Sequence, residues 1–217
     1  LIRRQGGEAF VAPSMREAPL EDNAEALGAA ERLFRREFEM VIFLTGVGVR
    51  ALHKLLATRY PPERFPAALR ELTVVARGPK PVAALRELEV EAGIKVPEPN
   101  TWREIVQAVR GRPERRIAVQ EYGRSNPELI QALEQMGATV TSIRVYQWQL
   151  PEDTGPLRAA VRELAAGTFD VVMFTTPFQI VHLFRIAGEE RLAEAVRIAL
   201  EKTVIASIGP ATTEMLA

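Results

Sequence analysis

The apolar run Val41-Ile42-Phe43-Leu44 ends abruptly in Thr45-Gly46-Val47-Gly48, and helical spacing resumes with Val49-Arg50-Ala51-Leu52. Glycines at the end of a buried strand let the backbone turn sharply and present its N–H groups. A helix starting there adds partial positive charge. Such a turn is suited to holding an anion. Three further turns share its character: Arg77-Gly78-Pro79-Lys80, Thr175-Thr176-Pro177 and Gly209-Pro210-Ala211-Thr212. Hydroxyls, cationic side chains and helix starts in that number fit a ligand with several carboxylates or phosphates.

Other chemistries lack their residues. With no Cys, disulfides, Cys-zinc sites and thiol nucleophiles are excluded. The two histidines, His53 and His182, lie among apolar residues on helices and read as structural. No Ser/His/Asp set, carboxylate pair or metal cluster is apparent, so no metal is expected. Lys and Arg total 28 against 28 Asp and Glu. That balance argues against nucleic acid or a membrane surface as partner. Arg outnumbers Lys, which suits planar recognition of carboxylate or phosphate. No run is long enough to span a bilayer and no signal peptide is visible, so a cytoplasmic protein is expected.

These turns must be positioned by strands alternating with helices. Strands are expected at residues 9–15, 41–44, 72–76, 94–96, 116–120, 139–148, 171–175 and 204–207. Helices are expected at 24–38, 46–57, 67–71, 81–89, 102–110, 127–136, 157–166, 180–187 and 191–201, with another beginning after 212. Polar, Pro-containing connectors fill 17–23 and 149–156. This alternation predicts an α/β protein with parallel sheets and ligand loops at the strand C-terminal ends. Residues 1–5 read as the end of a helix, which implies a missing strand before them.

The chain repeats itself. Phe38 to Thr45 lies over Phe169 to Thr176 without a gap, and Gly78-Pro79 over Gly209-Pro210, both at an offset of 131 residues. Gly7, Phe10 and Val11 fall on Gly137, Val140 and Thr141 at an offset of 130. The opening segment thus corresponds to the end of a repeat. The simplest account is two similar domains, one inserted into the other: residues 1–15 with 150–217, and residues 16–149. Two chain crossings would join them and let them hinge about a cleft.

Gly46-Val47-Gly48-Val49-Arg50-Ala51 formally matches the dinucleotide fingerprint. Arg77-Gly78 stands where an acidic ribose ligand is expected, and the repeat partner Thr176-Pro177-Phe178-Gln179 has no glycine. An NADP-dependent enzyme, with Arg77 reading a 2′-phosphate, stays an alternative. A non-catalytic two-lobed binder of a small polyanion is another.

Five segments in this order resemble the uroporphyrinogen-III synthase family: Ile42-Phe43-Leu44-Thr45-Gly46-Val47-Gly48-Val49, Ala76-Arg77-Gly78-Pro79-Lys80, Val145-Tyr146-Gln147-Trp148, Phe174-Thr175-Thr176-Pro177 and Ile208-Gly209-Pro210-Ala211-Thr212-Thr213. The resemblance spans the chain, with the first strand of the outer domain and a tail after Ala217 missing. It implies two flavodoxin-like parallel-sheet domains joined by a two-stranded linker. It also implies a monomeric lyase of tetrapyrrole (haem) biosynthesis that takes hydroxymethylbilane, expels its hydroxyl as water, inverts ring D and closes uroporphyrinogen III without a cofactor. On that footing Tyr146 is the group expected to assist hydroxyl departure. Substrate contacts are expected from Thr45, Gly46, Arg77, Gly78, Lys80, Tyr122, Gly123, Thr175, Thr176, Pro177, Gly209, Pro210, Ala211 and Thr212. Asn100 or Thr101 is expected to cap the helix that follows.

Overall fold

A computed structural model describes residues 2–20, 23–121 and 125–216. Tyr122 and Gly123 lie outside the described residues. The chain divides into two compact units, Leu1–Glu17 with Trp148–Ala217, and Ala18–Gln147. The boundaries fall inside β1 (Arg16–Pro19) and β7 (Tyr146–Gln149), which form a separate two-stranded sheet.

In the continuous unit, α1 (Ala24–Phe34) precedes β2 (Met40–Phe43), α2 (Gly46–Leu56), α3 (Arg64–Leu69), β3 (Thr73–Ala76), α4 (Pro79–Glu87), β4 (Ile94–Lys95), α5 (Trp102–Val109), β5 (Arg116–Glu121), α6 (Pro127–Gln135) and β6 (Thr139–Arg144). Every residue of β2 is buried, because a central parallel strand is covered on both faces. Its even positions Met40 and Ile42 join Val75, Ile105, Ile117, Val119, Leu129 and Leu133 in one apolar cluster beneath α5 and α6.

The sheet runs β4-β3-β2-β5-β6 with all neighbours parallel. Numbered within the unit this is 3-2-1-4-5, whereas a flavodoxin-like sheet runs 2-1-3-4-5. Counted from β5 and read from the β6 edge, the same sheet runs 2-1-3-4-5. The chain adds β4 beyond β3 before α5 carries it back to the far side of β2. Alternating strands and helices do not reveal at which edge the next strand joins.

The discontinuous unit opens with a 3₁₀ turn, Ile2–Gln5, and continues after β7 with α7 (Gly155–Ala165), β8 (Val171–Phe174), α8 (Pro177–Glu189), α9 (Ala193–Lys202), β9 (Val204–Ser207) and α10 (Pro210–Leu216). Phe174, Ile180, Leu183, Ile186, Val161 and Val196 form its core. The strand expected over residues 9–15 does not form. β8 and β9 pair with each other, and no described strand offers that segment a ladder. It is held by side chains instead: Phe10 packs on Phe169 at 5.6 Å, and the buried His182 Nδ1 lies 2.6 Å from the Ser14 carbonyl oxygen.

The repeat reappears in the elements. Adding 131 to the bounds of α1, β2 and β3 gives the bounds of α7, β8 and β9, and α2 and α4 start 131 residues before α8 and α10. The register agrees as well: Met40 is paired with Thr73, and Val171 with Val204. The two β8–β9 positions matching Met40 and Ile42, Val171 and Met173, are each 54% exposed, so the copies differ in what covers this face.

Other departures have local causes. The long strand expected over 139–148 splits at Val145, since β6 pairs with β5 and β7 with β1. Helix α1 stops at Phe34, short of the expected Phe38, where Arg36 turns left-handed at φ 58°.

Glu114 ties the lower edge of the sheet together. Its carboxylate accepts from Thr73 Oγ1 at 2.6 Å and pairs with Arg112 at 2.6 Å, with its side chain 10% exposed. The Arg112 hydrogen bond, against some desolvation and with help from Thr73, lowers its pKa from 4.5 to about 2. A depressed carboxylate contributes stability above its unfolded pKa and loses it as pH falls through the folded value. The stability gap between wild type and Glu114→Gln should therefore be full at pH 7 and close as pH falls from about 4.5 to about 2, read by urea unfolding.

Candidate active site

The turn after β2 carries the densest chemistry. Thr45 caps α2: extended at φ −143°, it accepts from Gly48 N–H through Oγ1 at 3.0 Å. The same Oγ1 lies 3.1 Å from the phenol oxygen of Tyr146, at the start of β7. Tyr146 is 4% exposed, so its ring is packed. Gly46 and Val47, at the first two helical positions, have N–H groups that intrahelical bonding leaves open.

Both glycines of this turn are required by close approach. A Cβ on Gly46 would meet the Lys80 carbonyl oxygen at 2.6 Å, so α2 and α4 are drawn together at their starts. A Cβ on Gly48 would meet the Gln120 carboxamide at about 2.0 Å. Gln120 is fully buried, and its Nε2 donates to the Glu121 carbonyl while Oε1 has no hydrogen-bond partner among the described residues. Glu121 is 1% exposed; its Oε1 accepts from Ser125 Oγ at 3.0 Å and Asn126 N–H at 2.9 Å, and Oε2 has no hydrogen-bond partner among the described residues. Sequence reasoning missed this buried pair. The only signal was two polar residues closing the run Ile117-Ala118-Val119, which reads equally well as a strand passing into a loop.

The Arg77-Gly78 turn at the end of β3 is braced by Asn100. With its nitrogen facing the backbone oxygens, the Asn100 amide donates to the Arg77, Val96 and Pro97 carbonyls at 2.9, 3.0 and 3.2 Å. Thr101, not Asn100, caps α5, in a reciprocal capping box with Glu104. Lys80 is exposed in the first turn of α4. The N–H supply is thinner here than expected, because Pro79 and Pro81 both lack a donor.

In the other unit Thr176 caps α8 and accepts from Phe178 N–H at 3.3 Å, with Pro177 at the first helical position. Thr175 N–H is already taken by Gln179 Oε1 at 2.6 Å. Gly209, at φ 78°, with Pro210 and Ala211 forms the exposed start of α10. Thr212, expected to present its hydroxyl, is 2% exposed. One step further around the helix the outward position falls to Thr213, whose Oγ1 pairs with Ser207 Oγ at 2.7 Å.

The strand order 3-2-1-4-5 with a glycine pair after the first strand is also that of dinucleotide-binding sheets. Two details separate this turn from that use. The fingerprint's second glycine leaves backbone open to a pyrophosphate, but here Gly48 lies against Gln120 and its N–H is given to Thr45. Arg77 and Gly78 follow β3 where the second strand of such sheets delivers an acid.

Among the described residues no group of three or more His, Cys, Asp or Glu is gathered, and no helix is long and apolar enough to cross a membrane. His53 lies 3.1 Å from the Pro62 carbonyl and stacks on Phe65. What remains is a mixed α/β protein whose continuous unit carries a parallel five-stranded sheet. The chain belongs to the uroporphyrinogen-III synthase family: the family model described as "Uroporphyrinogen-III synthase HemD" matches residues 1–217. It is 32% identical to a Methanothermobacter thermautotrophicus protein named "Putative uroporphyrinogen-III synthase", covering 100% of this chain and 82% of that one. It is 28% identical to the Bacillus subtilis "Uncharacterized protein YjjA", covering 100% and 80%. Among solved structures it resembles uroporphyrinogen III synthase of the extremely thermophilic bacterium Thermus thermophilus, with a TM-score of 0.72 at 22% identity over 99% of this chain and 81% of that one. A second crystal form of that enzyme gives 0.60 at 23% identity, covering 99% and 80%.

Gly48→Ala should destabilise the protein by about 1–3 kcal/mol, since the new methyl meets a packed carboxamide. Gln120→Ala in the same chain should recover part of that loss. Thermal unfolding of the single and double variants checks both.

Proposed function

We propose that the protein converts hydroxymethylbilane to uroporphyrinogen III, with loss of water and inversion of ring D. Support comes from family membership along the whole chain together with one observation that carries the chemistry. That observation is the Tyr146 phenol bonded to the Thr45 hydroxyl at the capped start of α2, whose Gly46 packs against the backbone of Lys80. Arg77, Lys80, Gly78 and the N–H groups of Gly46 and Val47 hold carboxylates of the substrate in the continuous unit. Thr175, Thr176, Pro177, Gly209, Pro210 and Ala211 do so in the other. Tyr122 and Gly123 extend the first set. Curling a linear tetrapyrrole so that ring D reacts at its substituted carbon is catalysis by orientation. It competes with spontaneous closure, which keeps ring D as it was.

Tyr146 donates a hydrogen bond to the departing hydroxyl. Both donor sets belong to one chain, so the reading needs no second copy. We infer further that the discontinuous unit is a second parallel-sheet domain into which the other is inserted, supported by the matched bounds of α1, β2 and β3 with α7, β8 and β9.

Freshly prepared hydroxymethylbilane incubated with the protein should give isomer III; isomer I alone would overturn the reading. Tyr146→Phe should lower kcat by about 10²–10⁴-fold, the range for removing a positioned proton donor. Full turnover by that variant would remove the role of Tyr146 and leave the family assignment untouched.

A further inference from the structure

The continuous unit has a second opening at the other end of its sheet, beneath the strand N-terminal ends. It is a cleft of about 520 Å³ between α5 and α6, within the range of about 300–1,000 Å³ usual for small-molecule sites. Its floor belongs to the core: Met40 and Ile117, at the starts of β2 and β5, are 0% and 3% exposed. One wall is Trp102, Val106 and Val109 of α5, spaced i, i+4, i+7 so that they share a face. The other is formed by Ala132 and Met136 at the end of α6. Trp102, Val106 and Met136 pack on the apolar cluster of the sheet and stay only partly buried. Apolar surface left open in this way is stabilised by an apolar occupant.

The mouth of the cleft is cationic. Arg110, Arg112 and Arg115 line it together with one acid, Glu114, which Arg112 and Thr73 already engage. Arg115 gives its Nη1 to the carbonyl oxygens of Arg112 and Glu114, bonds that leave its charge unneutralised. Among the described residues neither Arg110 nor Arg115 is ion-paired, and both are exposed. Against these two charges stand the C-terminal ends of α5 and α6, each worth about half a negative charge. About one positive charge is left over, which matches a monoanion and neither a cation nor a polyanion.

We propose that this cleft binds a small apolar monocarboxylate with a body of one or two fused rings. The ring body lies against Trp102, Val106 and Met136, and the carboxylate is directed to Arg110 and Arg115, whose planar forks suit it. The site is separate from the turn that carries Thr45, because Met40 opens β2 and Thr45 follows its end. The inference does not rest on the synthase reading, and the polycarboxylate of that reading carries too much charge for this cleft.

Naphthalene-2-carboxylate is the probe. The chain has two tryptophans, so its two indole N–H resonances are told apart by the loss of one in Trp148→Phe. The probe should shift the Trp102 resonance saturably. The isosteric 2-naphthamide, which keeps the rings and lacks the charge, should bind about ten-fold more weakly, and acetate should give no saturable shift. Arg110→Ala and Arg115→Ala should each weaken the carboxylate by about two- to five-fold, the range for an exposed charge pair, and leave the amide unchanged. Raising the ionic strength from about 0.01 M to about 0.5 M should remove most of the preference for the carboxylate. Ala132→Phe, which fills the cleft, should abolish binding of both; the exposed arginine variants decide the matter if that variant does not fold.

Equal affinity for carboxylate and amide would overturn the inference. So would unchanged affinity in both arginine variants, a well-folded Ala132→Phe that still binds, or a saturable shift at Trp148 with none at Trp102.

Discussion

The start of α2 depends on one constraint: Thr45 must satisfy a helix end and hold Tyr146 with the same oxygen. Helix starts leave N–H groups without partners, and an extended threonine before the first turn supplies the nearest acceptor. Here that acceptor also reaches a phenol 101 residues away in sequence. The turn can be this tight only because Gly46 and Gly48 carry no side chain. The backbone of α4 and the carboxamide of Gln120 fill the space where Cβ atoms would be. Capping, helix packing and the placement of a candidate acid are therefore coupled at four consecutive residues.

The second copy shows how far one backbone plan can diverge in chemistry. Thr45 and Thr176 both cap the helix that follows the first strand of their unit, and β2–β3 and β8–β9 share a register. Yet Gly48 is matched by Gln179, which bends back to accept from Thr175 N–H instead of leaving room for a neighbouring side chain. Gly78 is extended, while Gly209 is left-handed. The strand and helix pattern is set by packing and tolerates such changes. The polar groups at the turns are free to specialise.

The buried Gln120 and Glu121 mark where β5 leaves the apolar interior. A carboxylate held by Ser125 Oγ and Asn126 N–H fixes the approach to α6, with one oxygen left unpaired among the described residues. Leaving a buried acceptor unpaired costs about 1–3 kcal/mol. Such groups persist in native folds where the surrounding packing holds them in place.

The sequence by itself determined the alternation of strands and helices, the repeat at 131 residues and the family resemblance, and it narrowed the cap of α5 to Asn100 or Thr101. These follow from local rules: apolar periodicity, glycine and proline punctuation, and hydroxyls placed one residue before a helix. It did not determine the sheet order, because α5 could return the chain to either edge. Nor did it show that residues 9–15 lack a ladder, or that Thr212 faces inward while Thr213 faces out. Only the tertiary structure placed Gln120 against Gly48 and brought the Tyr146 phenol to Thr45. Those contacts join segments distant along the chain, where nothing in the local pattern of either segment specifies the other.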